Sequence, residues 1–294
     1  MKLQNYEAVA EIDSKISTES RAVIKLRTGD FNLNATLESG QVFGFTKTNS
    51  GRYEGAISGT SVKLWQEDNF LLAESAGRKI SEEKLIHYFD LDHDLTQIYR
   101  ILSEDARLKP VLLHFKGLRV IRQDPWEALA CFIISSNNNI KRIQKIRNNL
   151  SRAFSSPELG FPNAHVLART NEFELRELGL GYRAPFLLQV ARIYAAWREL
   201  PGEIRKADYQ MAKAQLLRFP GIGEKVADCV LLFGFQKYEA FPVDVWIHRT
   251  VRKLYFRNRK TSERKIREFG QRRWGNYAGY VQQYLYHGAK SGIL

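Results

Sequence analysis

Leu217-Arg218-Phe219-Pro220-Gly221-Ile222-Gly223-Glu224-Lys225-Val226-Ala227-Asp228-Cys229 is the stretch on which the reading of this chain turns. A helical pattern over residues 209–217 stops here, a Pro-Gly-Ile-Gly turn follows, and a second helix is expected from Glu224. Gly221 and Gly223 permit positive φ and leave backbone N–H groups uncovered. Beside the positive end of the next helix, those groups make an anion cradle suited to a DNA backbone phosphate. The segment reads as a helix-hairpin-helix unit; the plain alternative is a tight helix–helix turn.

Charge points the same way. The 294 residues carry 45 Lys+Arg against 32 Asp+Glu, a net +13, which suits a polyanionic partner better than an acidic or neutral metabolite. Eleven Lys+Arg and two Asp+Glu lie between Arg249 and Arg273, so 11 − 2 = +9 of the excess sits in one run. That run is an electrostatic footprint or a solvated helix face with a basic loop. Hydrophobic residues at 44% exclude long disorder. Two cysteines, Cys131 and Cys229, exclude a disulfide framework and four-cysteine zinc or iron–sulfur sites. No apolar run reaches the ~18 residues of a membrane span. Residues 1–18 are polar and carry no signal-peptide core, so a soluble, intracellular protein is expected.

Upstream, short strand-like runs separated by turn residues predict an antiparallel sheet: residues 22–26, 41–45, 53–57, 62–65 and 70–73. From Ser81, an N-cap followed by Glu82 and Glu83, the period lengthens to helical. Asp124-Pro125-Trp126-Glu127 is a helix start in which Asp124 caps and Glu127 reaches back to close a capping box. Further helices are expected over residues 140–154, 172–178, 185–200 and 209–217. The fold class is therefore α+β, with a sheet-containing domain over residues 1–115 and an all-helical domain over residues 116–294.

A binding hairpin alone implies no chemistry; Lys225 and Asp244 change that. Lys225 lies in the first turn of the helix after the hairpin, and Asp244 begins another helix in Phe241-Pro242-Val243-Asp244-Val245-Trp246. An ordinary lysine is less than about a thousandth deprotonated at neutral pH, so a nucleophilic one needs a helix start, neighbouring cations and partial desolvation. Glu224 would oppose this if it pointed inward. Asp244, as an N-cap, is expected to be held ionised by backbone donors, an electrostatic stabiliser rather than a strong base. An amine beside a fixed carboxylate suits N-glycosidic cleavage, in which positive charge builds on the sugar and the amine captures C1′. Loss of a C2′ proton then cuts the strand.

The sequence closely resembles the 8-oxoguanine DNA glycosylase/lyase family of the helix-hairpin-helix superfamily, from about Phe31 to Tyr286. The resemblance rests on Ser39-Gly40-Gln41-Val42-Phe43, Arg122-Gln123-Asp124-Pro125, Ser135-Ser136-Asn137-Asn138-Asn139-Ile140, Leu178-Gly179-Leu180-Gly181-Tyr182-Arg183-Ala184, the hairpin, and Pro242-Val243-Asp244-Val245. It implies a TATA-binding-protein-like sheet domain before the catalytic helices. It also implies that Lys225 is the Schiff-base lysine and Asp244 the catalytic aspartate. Gly40 matches the glycine whose carbonyl senses the N7 hydrogen of 8-oxoguanine, and Cys229 and Tyr286 the residues that sandwich the flipped base. Gln282 matches the reader of its Watson–Crick edge. Asn137, Arg142 and Arg183 match the holders of the orphaned cytosine, with Tyr182 as the wedge. Gly221, Gly223, Val226 and Trp246 are the remaining expected DNA contacts.

Two departures stand out. Trp246 occupies the place of a phosphate-touching histidine, and Tyr286 a place usually held by phenylalanine. His248 reads as a surface or packed histidine in preference to a phosphate contact. The implied partner is double-stranded DNA containing 8-oxoguanine, bound by a monomer in the cytoplasm beside the chromosome, or in the nucleus of a eukaryote. No metal or organic cofactor is implied for catalysis, although the superfamily raises a cation on the hairpin carbonyls. The alternatives are a glycosylase of the same fold for another damaged base and a non-catalytic DNA-binding module.

Overall fold

The alternation of inward and outward side chains that builds the first sheet is seen along β4 (Thr60–Glu67), where Thr60, Val62 and Leu64 are buried. In the computed structural model, which describes residues 22–75, 79–155 and 160–294, β4 pairs with β3 (Tyr53–Ile57) and β5 (Phe70–Ser75). With β1 (Ala22–Arg27) and β2 (Thr46–Lys47) they form an antiparallel sheet in the order β1-β5-β4-β3-β2. The β3–β4 turn uses Ser58 and Gly59 at φ 48 and 72, the left-handed pair that a two-residue hairpin requires.

The expected strand over residues 41–45 is absent; only Thr46 and Lys47 join the sheet. Val42 and Phe45 enter the core beneath the sheet while Phe43 enters the helical core, so the run passes between two cores instead of pairing. The apolar run reported burial on both sides.

Helices α1 (Leu33–Leu37), α2 (Glu82–Tyr88), α3 (Thr96–Glu104) and α4 (Lys109–Phe115) lead into α5 (Pro125–Ile134). Asp124 caps α5 by accepting Glu127 N–H at 2.9 Å. Glu127 does not return to close the box; its carboxylate takes Arg147 of α6 (Ile140–Phe154) at 2.8 Å. After α7 (Ala164–Ala168) and α8 (Glu172–Leu175), Gly179 at φ +98 ends the pattern expected to continue to Leu178. Then come α9 (Ala184–Ala196), α10 (Leu200–Lys206), α11 (Tyr209–Leu216), α12 (Glu224–Phe235), α13 (Val245–Tyr255), α14 (Glu263–Trp274) and α15 (Ala278–Lys290).

Residues 226–235 of α12 are buried without interruption, which makes it the central helix. It approaches α5 closely at Gly234, where a Cβ would lie 3.2 Å from Pro125 Cα. Buried Asp90, after α2, accepts the hydroxyls of Tyr238 and Tyr280 and pairs with Arg122. That hub ties the chain after α2 to the segment after α12 and to the first turn of α15.

Candidate active site

Gly221 adopts φ +76, and a Cβ there would meet Phe186 Cγ at 2.7 Å, so glycine is required for two reasons. Gly223 differs from expectation: it is extended at φ −96 and stands as the N-cap of α12. The amides of Gly223, Glu224, Lys225 and Val226 meet no acceptor among the described residues, and the first helical bond is Ala227 N–H to Gly223 O at 2.9 Å. The Val226 side chain is buried, so what it offers a ligand is its amide. The free first-turn amides form the anion cradle in backbone form. Among the described residues no group of three His, Cys, Asp or Glu could hold a metal ion, so a hairpin cation would depend on backbone carbonyls.

Lys225 is half-buried, its Nζ 3.2 Å from Ser135 Oγ and 5.3 Å from the centre of the Phe132 ring. Cys229 follows one turn later, and burial pushes its thiol up to about 12 despite the neighbouring Lys225 ammonium. The thiol is thus an uncharged wall, not a nucleophile. Glu224 points away: its carboxylate lies 2.7 Å from Lys213 and 3.1 Å from Arg267, and the Lys213 hydrogen bond holds it below the usual range.

Asp244 caps α13, accepting Ile247 N–H at 2.9 Å. Its protonation departs from expectation. Burial pushes the carboxyl above its ordinary value, and the Ile247 and Trp246 amides and the Lys225 ammonium offset this only in part. An N-cap with three helpers does not outweigh desolvation here, so Asp244 takes up a proton more readily than an exposed aspartate.

Gly40 and Tyr286 close the other side. A Cβ on Gly40, which has φ +79, would lie 3.0 Å from both Tyr286 Cε1 and Ile140 Cδ1. Asp244 and Cys229 both act electrostatically on the Tyr286 phenol, which is pushed upward chiefly by burial and stays neutral. Gln282, one turn before Tyr286 on α15, is buried, and its Oε1 has no hydrogen-bond partner. Lys225, Cys229, Asp244, Gly40, Gln282 and Tyr286 therefore share one locus. The Tyr286 ring and Ile140 pack close over Gly40.

A second group lies at the α5–α6 loop. Asn137, at φ +48, donates to Tyr182 Oη at 3.3 Å, and that hydroxyl donates to Ser136 O at 3.1 Å. Tyr182 is 47% exposed, as a wedge would be. Arg183 is buried, and its guanidinium donates to the carbonyls of Ser136, Asn137 and Leu180. Arg142 is exposed in the first turn of α6, where its amide binds the Asn139 cap. Val245 and Trp246 form an exposed apolar edge beside Asp244. His248 Nε2 is engaged 2.8 Å from Thr261 O.

The family model of the 8-oxoguanine DNA glycosylase N-terminal domain matches residues 23–129, and that of the HhH-GPD superfamily of base excision DNA repair proteins matches residues 130–276. The chain belongs to the 8-oxoguanine DNA glycosylase family. Members of this family are DNA N-glycosylases with lyase activity, and the chain is an enzyme of that type. A probable N-glycosylase/DNA lyase of Methanothermobacter thermautotrophicus is 33% identical, over 92% of this chain and 97% of its own length. An N-glycosylase/DNA lyase of Arabidopsis thaliana is 30% identical, over 90% of this chain and 78% of its own. The Clostridium acetobutylicum 8-oxoguanine glycosylase/lyase, solved with double-stranded DNA containing cytosine opposite 8-oxoguanine, superposes with a TM-score of 0.87 at 29% identity, all of both chains being covered.

Within this family frame, the sequence reading missed two features. Ser135, whose hydroxyl accepts a hydrogen bond from the Lys225 amine, sits in a quoted motif but gave no chemical signal of its own. Asp228 was read only as part of the hairpin motif. It is fully buried, with Lys213 at 2.8 Å, Arg267 at 2.7 Å and the Tyr209 hydroxyl at 2.5 Å. An aspartate on the core side of an otherwise apolar helix was the available signal.

Proposed function

We propose that this chain excises 8-oxoguanine from double-stranded DNA, favouring cytosine opposite, and cuts the strand at the resulting site. The observation that carries the reading is Lys225, held between Ser135, Cys229 and Asp244 at a helix start whose amides are free. A neutral Lys225 amine adds to C1′ while the N-glycosidic bond breaks and its electron pair leaves with the base. Asp244, when ionised, stabilises positive charge on the sugar. A carboxyl lifted by burial is also the better acceptor for the proton that the amine sheds. Ring opening gives an iminium, loss of a C2′ proton expels the 3′ phosphate oxygen, and water releases the lysine.

Specificity follows from an acceptor facing a donor. 8-Oxoguanine carries N7–H where guanine presents a lone pair, so the Gly40 carbonyl, unpaired among the described residues, attracts one and repels the other. Buried Gln282 Oε1 is left for donors on the Watson–Crick edge. Neutral Cys229 and Tyr286 flank the flipped ring. Asn137 and Arg142 serve the orphaned cytosine while Arg183 holds the Asn137 turn, and Tyr182 fills the vacated stack. The hairpin amides take a phosphate, and Trp246 packs on the strand beside it. The protein acts as a monomer on chromosomal DNA without a cofactor in the chemistry.

Borohydride tests the nucleophile. Wild type is expected to be trapped on an 8-oxoguanine duplex and Lys225→Gln is not; an adduct that survives the substitution overturns the assignment. Excision rates compared across the four opposing bases test the pairing, and equal rates would remove the cytosine preference.

A further inference from the structure

The Gly40 carbonyl lies between two peptide groups pinned from different elements. The carbonyl before it, on Ser39, accepts Gln283 Nε2 at 3.0 Å; the carbonyl after it, on Gln41, accepts Gln123 Nε2 at 2.7 Å. The Gln41 side chain is a third anchor, donating to Thr36 O at 3.1 Å and Arg119 O at 2.8 Å while accepting Ile121 N–H at 2.7 Å. All three glutamines are buried. Gly40 O itself meets no donor among the described residues. Three desolvated amides therefore hold one left-handed turn and leave a single acceptor between them free.

Of the three, only Gln283 comes from α15, the helix that also carries Gln282 and Tyr286. Its bond to Ser39 spans 244 positions and joins the turn to the helix that carries Gln282 and Tyr286. We infer that Gln283 is a positioning residue for lesion recognition: its grip on Ser39 O sets where Gly40 O stands relative to Gln282 and Tyr286. The inference rests on the reading above of Gly40 as the sensor of N7–H. Hydrogen bonds weaken steeply as distance and angle drift, and so does the lone-pair repulsion that rejects guanine, so a turn freed at Ser39 loses discrimination at Gly40.

Gln283→Met keeps length and volume and removes the donor. Two rates separate the outcomes: single-turnover excision of 8-oxoguanine opposite cytosine, and cleavage at a preformed abasic site, which uses Lys225 with no base in the site. We expect excision to fall about ten-fold, the worth of one net hydrogen bond, with abasic cleavage changed by less than about two-fold. The ratio of dissociation constants for guanine and 8-oxoguanine duplexes, read in the Lys225→Gln background, should shrink to a similar degree. Unchanged excision, or equal loss of both reactions, overturns the assignment. Should Gln283→Met fail to fold, Gln283→Ala, which admits a water donor to Ser39 O, is judged by the same rates, and loss of abasic cleavage in both variants also overturns it. Wild type that cleaves abasic sites yet spares 8-oxoguanine would sink the functional reading itself, and this inference with it.

Discussion

His287 is buried near the end of α15, its ring centre 3.9 Å from that of Phe115 and its Nδ1 without a hydrogen-bond partner. Burial, aided by the Lys290 ammonium, pushes its pKa down to about 4, against an opposing pull from Glu38. The folded chain therefore favours the neutral ring, while the unfolded chain, titrating near 6.5, takes up the proton first as pH falls. Stability that is fully present above about pH 6.5 drains away toward pH 4. At pH 5 this one residue should account for a loss of about 2 kcal/mol, taking 1.36 kcal/mol per decade. His287→Leu removes the titration and the unpartnered nitrogen together. Thermal melts of both proteins at pH 7.5 and pH 5 read the difference. The fall in Tm between the two pH values should be smaller in the variant by roughly 4–8 °C, from about 2–4 °C per kcal/mol. An identical fall in both proteins would refute the assignment of a buried, neutral His287.

Asp228→Ala leaves Lys213 and Arg267, both buried, with only the exposed Glu224 carboxylate to share, and should cost about 3–5 kcal/mol in urea unfolding; a loss below about 1 kcal/mol would mean the network is solvated. Gly221→Ala forces a left-handed alanine against Phe186 and should cost about 1–3 kcal/mol, with weaker binding to an abasic-analogue duplex. Unchanged binding would remove the hairpin from the DNA interface. The basic run from Arg249 to Arg273 predicts an affinity loss of about a thousand-fold between roughly 50 and 200 mM salt if six or more phosphates are engaged. A flat salt dependence would show that the run faces solvent.

The residues alone determined what is settled within a few positions of chain. Ser81, Asp124 and Asp244 each cap a helix by binding the amide three residues on, and Gly221 makes the turn that its neighbours demand. Such bonds are closed by local geometry, so local sequence specifies them. Family motifs added Lys225, Asp244, Gly40, Gln282 and Tyr286 as a set, because their order along the chain is distinctive even though their meeting is not local. Tertiary packing decided the rest. It turned Glu224 toward Lys213 and Arg267, drew Glu127 to Arg147, and spent Arg183 on carbonyls. It lifted the Asp244 carboxyl where capping alone would have lowered it. Each of these outcomes depends on which distant groups exclude water from a charge or reach it first, and desolvation is a property of the packed surroundings, not of neighbours in sequence.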